Sequence, residues 1–125
     1  MRSNRAALAL ILAFVCALAS PALALAGGPG FRTHHLLEEH YAKHGSEFGS
    51  KVTQDQYLRM AQQLRDLRPG KNILEAKRKG GSSKFDRRTK WFVAYDDDGT
   101  IRTFFIPNDG LRYFERQAKT YAPPE

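Results

Sequence analysis

Residues 91–107 read WFVAYDDDGTIRTFFIP, and this stretch decides the fold. Trp91, Val93 and Tyr95 alternate with Phe92 and Ala94, the period of two that sends successive side chains to opposite faces of a strand. Asp96 to Gly99 is turn chemistry, with Gly99 available for positive φ. Thr100 to Ile106 returns as the second strand, and Pro107 closes it because proline cannot donate to a ladder. The stretch predicts an antiparallel hairpin.

Working upstream, the period changes from two to 3.6. Thr33 to Lys43 reads as a helix with Leu37 and Tyr41 facing the core, Leu36, His40 and His44 on a neighbouring stripe, and Gly45 as its stop. A second helix opens at Thr53, where Gln56 completes a capping box; Tyr57, Ala61 and Leu64 share one face, and Pro69-Gly70 ends it. Asn72 to Ala76 reads as a short strand. Lys77, Arg78, Lys79, Lys84, Arg87, Arg88 and Lys90 then crowd into 14 residues against one acid, Asp86. Beside Gly80-Gly81-Ser82-Ser83 they read as a mobile cationic loop. Such a loop suits a polyanion (nucleic acid, an anionic membrane surface or an acidic protein) or simply solubilises the surface. Downstream, Leu111 to Tyr121 reads as a last helix with Leu111, Phe114 or Tyr113, Ala118 and Tyr121 inward, part of it having a strand as alternative. The fold class expected is α+β, with N-terminal helices packed on one face of a small antiparallel β-sheet.

The chain has 125 residues, one domain's worth. Its start has another character. Arg2 and Arg5 precede a nearly unbroken apolar run from Ala6 to Ala19, then Pro21 and the small-residue exit Ala24-Leu25-Ala26. This is the pattern of a secretory signal peptide over residues 1–26. The run is short of the roughly 20 residues a spanning anchor needs. The working domain is then 27–125, secreted or periplasmic, with no stable membrane association after cleavage. It would carry 18 basic and 13 acidic residues, net +5, and would lose Cys16, the only cysteine. Disulfides, thiol nucleophiles and cysteine metal ligands are thereby excluded from it, and its core must hold it together alone.

All four histidines lie between positions 34 and 44. His40 and His44 are one turn apart, a spacing also compatible with zinc. A zinc site needs about three protein ligands, and only Glu47 or His35 offers a third. Asp96-Asp97-Asp98 provides too few oxygens for calcium. The expectation is no metal and no cofactor. The chemistry that remains open is metal-free RNA cleavage. There the 2′-OH attacks its own phosphodiester, a group titrating near neutrality removes the proton, and cations stabilise the phosphorane. Lys43 beside His44 and the basic cluster supply cations, and Thr103 supplies a hydroxyl. Phe105 and Trp91 are candidates for base stacking or for the core.

The pairing of YAKHGSEFG (residues 41–49) with the hairpin resembles the C-terminal nuclease domain of colicin D and related toxin tips of the barnase, colicin and RelE-type ribonuclease group. The likeness spans about residues 36 to 107. Those domains present a Lys-His pair ahead of Gly, an acid and Phe-Gly on a helix, and a hydroxyl residue with an aromatic two positions on in the hairpin. The resemblance implies metal-independent cleavage of transfer RNA in the anticodon loop. It implies His44 as acid/base, Lys43 on phosphate, Thr103 in the place of the family's Ser and Phe105 in that of its Trp. A further basic residue of the motif falls on Tyr41, with His40 or Arg88 the candidate to replace it. Phe for Trp keeps a stacking surface and loses the indole donor.

The expectation for function is a secreted, metal-independent endoribonuclease yielding 2′,3′-cyclic phosphate and 5′-hydroxyl ends. Its catalytic residues are His44, Lys43 and Thr103, and its substrate-binding residues are His40, Lys84, Arg87, Arg88, Lys90 and Phe105. RNA, with transfer RNA implied by the resemblance, and an acidic immunity-type inhibitor are the expected partners. The alternative is a non-catalytic exported protein that binds an anionic envelope polymer or a partner protein through its basic loop.

Overall fold

The computed structural model describes residues 27–120; the expected leader over residues 1–26, and Tyr121, lie outside them. Helix α1 spans His34–His44, a 3-10 turn follows over Gly45–Phe48, and α2 spans Gln54–Asp66. Four strands come next, β1 Ile73–Arg78, β2 Gly81–Asp86, β3 Phe92–Asp96 and β4 Ile101–Phe105, and α3 covers Leu111–Thr120. The strands form one antiparallel sheet in the order β1-β2-β3-β4, each paired with its neighbour in sequence. The protein is thus α+β, its helices preceding the sheet except for α3.

Both sheet faces are covered. On one, Leu37, Tyr57, Ala61 and Leu64 of α1 and α2 meet Ile73, Val93, Ile101 and Phe104. On the other, Phe114 of α3 meets Phe85, Phe92 and Ala94, with Phe105, Leu111 and Tyr113 at the margin. The expectation of helices on one face holds for α1 and α2, while α3 covers the second. Fully burying a large apolar side chain stabilises by about 1.5–3 kcal/mol, and Tyr57, Phe85, Phe92 and Phe104 are all essentially inaccessible.

The capping box is present at α2: Gln56 N–H donates to Thr53 Oγ1 at 3.1 Å, and Thr53 N–H donates to Gln56 Oε1 at 2.9 Å. That helix ends at Asp66, before Pro69-Gly70, because Leu67 turns extended with ψ 137°. At the end of α1 Gly45 is the stop, as expected, but not by a left-handed turn. Gly45 keeps helical angles (φ −56°), and the chain tightens into the 3-10 turn instead of leaving. Glycine is needed there for room, since a Cβ at Gly45 would sit 2.5 Å from the ring of Tyr41.

Of the cationic loop expected over 77–90, residues 77–86 are instead the end of an edge strand, a tight turn and a central strand, and only Arg87 to Lys90 form an exposed turn. Every residue of β2 is buried. The strand is hard to recognise because only Phe85 is apolar among GSSKFD. Gly81 allows β2 to approach β3 closely; a Cβ there would lie 2.0 Å from the Tyr95 carbonyl oxygen. Lys84 is correspondingly not a surface contact for phosphate. Its ammonium lies inside, 7 % exposed, donating to the Arg65 carbonyl and, at 2.6 Å, to that of Leu67. These are orphan carbonyls at the C-terminus of α2, where a cation is favoured. Burial lowers its pKa, and the Glu75 carboxylate 3.9 Å away opposes that shift.

The hairpin also departs from regularity. Tyr95 pairs with Ile101 while Ala94 pairs with Thr103, so Arg102 is an extra residue bulged out of β4. The bulge lets Ile101 and Phe104 face the same core although three residues apart, and it turns Thr103 and Phe105 toward the α3 side. Trp91 packs edge-on against Phe104 at 5.7 Å and Phe48 at 5.6 Å, so it belongs to the core margin.

Replacing Lys84 by Met would leave the α2 carbonyls unpaired in a buried setting. Urea unfolding of Lys84→Met is expected to show about 1.5–3 kcal/mol less stability than wild type, the range for a hydrogen bond to a charged group.

Candidate active site

Helix α1 lies along β4, and the stripe of α1 that faces the strand carries imidazoles. Four rings stand in a column along this seam. Phe31 is 4.9 Å from His40, His40 is 6.2 Å from His44, and His44 is 5.1 Å from Phe105, with successive planes within 29° of each other. Phe31 joins because Gly30 accepts a 2.8 Å bond from Ile101 N–H, placing residues 30–31 beside the start of β4.

His44 is the best-held member. Its Nδ1 lies 2.6 Å from Glu47 Oε2, and the other carboxylate oxygen accepts the backbone N–H of Ile106 at 2.8 Å. An ionised carboxylate only accepts, so the ring proton sits on Nδ1 and Nε2 is left for a substrate. The 3-10 turn brings this about. Phe48 is stacked 4.5 Å from Phe104 and set edge-on to Tyr57, which anchors the turn and directs the neighbouring Glu47 to the end of β4. The His44 side chain keeps 16 % of its surface exposed. Glu47 entered the sequence reading only as a candidate third metal ligand; its i+3 spacing from His44 was the available signal for this pairing.

His40 is half-buried. Its Nδ1 is buried with no hydrogen-bond partner. Burial lowers the imidazole pKa, the neighbouring His44 lowers it further, Glu39 raises it and Lys43 lowers it again. The ring lines a cleft of about 190 Å3 between α1 and β4, shared with Phe31, Arg32, Asp96, Thr100 and Arg102. Arg102 closes one wall through an ion pair with Asp96. His34 and His35 look away, in exposed 3.0 Å pairs with Glu38 and Glu39 of the kind that contributes little.

The structure brings His40, His44 and Phe105 together and adds Glu47. Lys43 is exposed beside His40 and Glu39 on the rim. Thr103 is half-buried and shares with Phe105 the α3-facing side of β4, two residues back along the strand. Arg87, Arg88 and Lys90 are exposed in the β2–β3 turn. Since Phe92 pairs with Phe105, that turn projects from the end of the sheet where His44 and Glu47 sit. Lys90 holds a left-handed φ of 66°, which costs a β-carbon-bearing residue on the order of 1 kcal/mol. Lys84 is separated from this group by its burial under α2. Among the described residues no set of three or more His, Cys, Asp or Glu could hold a metal ion, and no helix is long and apolar enough to cross a membrane.

No protein-family model and no curated protein matches this chain. What the site can do therefore follows from its chemistry: a tautomer-fixed imidazole with one free nitrogen, a second imidazole held in its neutral form, a stacking ring and a rim of cations.

The lowered pKa of His40 sets a stability trend. The folded state resists its protonation, so the contribution is full above about pH 6.5, the ordinary imidazole value. It is lost as pH falls through the lowered folded value. Urea midpoints at pH 7.5 and 5.5 are expected to drop further for wild type than for His40→Gln.

Proposed function

We propose that the protein is a metal-independent endoribonuclease, exported from the cell that makes it, in which His44 moves protons during 2′-OH transesterification. The observation that carries this reading is the dyad: His44 Nδ1 bonded to a Glu47 carboxylate that is itself tied to the Ile106 backbone. A surface histidine with no role needs no such support, whereas a proton-transfer group needs one tautomer and one orientation.

The substrate would supply its own nucleophile, the 2′-OH, so the protein needs only proton transfer and charge stabilisation. With Nδ1 held by Glu47, Nε2 of His44 is the nitrogen that exchanges a proton with RNA. Phe105, against the His44 ring at 5.1 Å, offers an aromatic edge at which a splayed base could rest. Lys43 on the rim and Arg87, Arg88 and Lys90 in the turn are placed to neutralise phosphates on either side. Thr103 is a hydroxyl donor on the same strand as Phe105. The net charge of +5 carried by residues 27–125 favours encounter with a polyanion. The same exposed turn is the natural landing site for an acidic inhibitor, whose carboxylates would occupy the phosphate positions. Transfer RNA as the target rests on the motif resemblance alone.

His44→Ala is expected to lower kcat/KM on total transfer RNA by about 100-fold or more, the range for losing a general acid or base. The variant should remain folded, its melting temperature lowered by about 4–8 °C for each kcal/mol lost with the Glu47 bond and the Phe105 stacking. Wild-type products formed in EDTA should carry 2′,3′-cyclic phosphate and 5′-hydroxyl ends. Absence of cleavage by wild type would favour the non-catalytic binding reading. Arg88→Ala is expected to leave end chemistry unchanged, raise KM and flatten the salt dependence.

A further inference from the structure

Transesterification has two proton transfers, and one histidine cannot be base and acid in the same step. The 2′-OH must lose a proton as O2′ attacks phosphorus, and the 5′-oxygen must gain one as its bond to phosphorus breaks. The seam between α1 and β4 holds two imidazoles whose environments differ. We propose that His40 is the general base and His44 the general acid of the reaction, their Nε2 atoms bracketing one phosphodiester. This rests on the ribonuclease reading and extends it, since that reading gives His40 a part in substrate binding alone.

Three observations carry the assignment. The ring centroids are 6.2 Å apart and the planes are within 28°, so hydrogen bonds of ~2.6–3.2 Å from each Nε2 can reach the two oxygens flanking one phosphorus. In both rings Nδ1 is withheld from substrate: in His40 it is buried, in His44 it is bonded to Glu47. That leaves the same nitrogen, Nε2, on each ring for substrate. Finally, the surroundings separate the two roles. His40 is desolvated and held neutral, the form a base must have on arrival. His44 is oriented by the Glu47 carboxylate on Nδ1, which aims Nε2 at the leaving oxygen, the placement an acid must have.

The step balances. His40 Nε2 takes the proton of the 2′-OH, the P–O2′ bond forms, the P–O5′ bond breaks, and His44 gives its Nε2 proton to O5′. The cyclic phosphate and the 5′-hydroxyl leave, and solvent returns each ring to its starting form. The charged and titratable groups around His40 are Glu39, Lys43 and His44 on α1, Arg32 ahead of that helix, and Asp96 and Arg102 on the sheet side.

The test compares His40→Gln and His44→Ala on two substrates. One is a diribonucleotide. The other is a ribonucleoside 3′-(4-nitrophenyl phosphate), whose leaving group departs without a proton. The expected result is that His44→Ala loses about 100-fold in kcat on the dinucleotide and recovers most of it on the nitrophenyl ester. His40→Gln should lose about 100-fold on both, with its melting temperature and its affinity for a 2′-deoxy oligonucleotide near wild type. If His40→Gln keeps kcat and only raises KM, the residue merely binds and the assignment is overturned. Recovery of His40→Gln, and not of His44→Ala, on the ester would reverse the roles and overturn it too. Should His40→Gln not fold, the wild-type profile of kcat/KM against pH decides. Two limbs, with the ascending one below the ordinary imidazole value, support the pair; a single limb overturns it. A wild type that cleaves neither substrate removes the ribonuclease reading and this assignment together, whereas cleavage by wild type with an active His40→Gln removes only the assignment.

Discussion

Tyr57 is the point on which the rest of the structure turns. Its hydroxyl donates to the Phe104 carbonyl, 47 residues away, and its ring meets Phe31, Tyr41, Phe48 and Phe104 at 5.3–6.3 Å. One side chain thus joins the N-terminal segment, α1, the 3-10 turn and β4 from its seat on α2. A buried phenol must find an acceptor, and the edge-strand carbonyl it uses fixes the height of α2 over the sheet. The His44–Glu47 pair inherits its position from that arrangement, because the 3-10 turn is held by Phe48 against the same ring. Burial, reinforced by the nearby Glu47 carboxylate, keeps the Tyr57 hydroxyl protonated well beyond the ordinary tyrosine range.

The positive charge of the chain is divided between two tasks. Arg65 and Lys84 are buried and satisfied by backbone. The Arg65 guanidinium reaches the carbonyls of Gly27, Pro29 and Gly99 as well as the Asp66 carboxylate. Lys84 closes the C-terminus of α2. These cations are architectural, joining segments that would otherwise leave carbonyls unpaired. Among the exposed cations, Arg87, Arg88 and Lys90 lie in the β2–β3 turn and Lys43 on the rim of α1. Composition gives the sum of the two populations; the fold separates them.

Much of this was legible in the sequence where one apolar pattern dominated. The alternation of residues 91–95 specified β3, and the Thr53–Gln56 box with Tyr57, Ala61 and Leu64 specified α2. The Leu36, His40 and His44 stripe was visible as a stripe, though nothing in it said that it would face a strand. Strand β2 was hidden because its helix-facing side is polar: Lys84 is there to meet carbonyls, an arrangement no hydrophobic period records. The bulge at Arg102 was hidden for a related reason, since pairing register depends on the partner strand. Glu47 was hidden because its second bond is to the Ile106 backbone, 59 residues on. Sequence thus revealed the ring chemistry of the site, and tertiary contact supplied its orientation.

The order of the strands has a consequence for when this chemistry becomes available. Each strand of the meander pairs with the one beside it in sequence, so the sheet closes only short loops, the kind of contact that forms early and at low entropic cost. The bond that tethers Glu47 to Ile106, 59 residues on, depends instead on α1 and its 3-10 turn reaching the far edge strand. A chain with its sheet assembled and its first helix still undocked would keep His40 and His44 one turn apart but would present the Glu47 carboxylate untethered from the Ile106 backbone. The tether that orients Glu47 and the seating of the His44 ring on Phe105 arrive only with that last long-range closure.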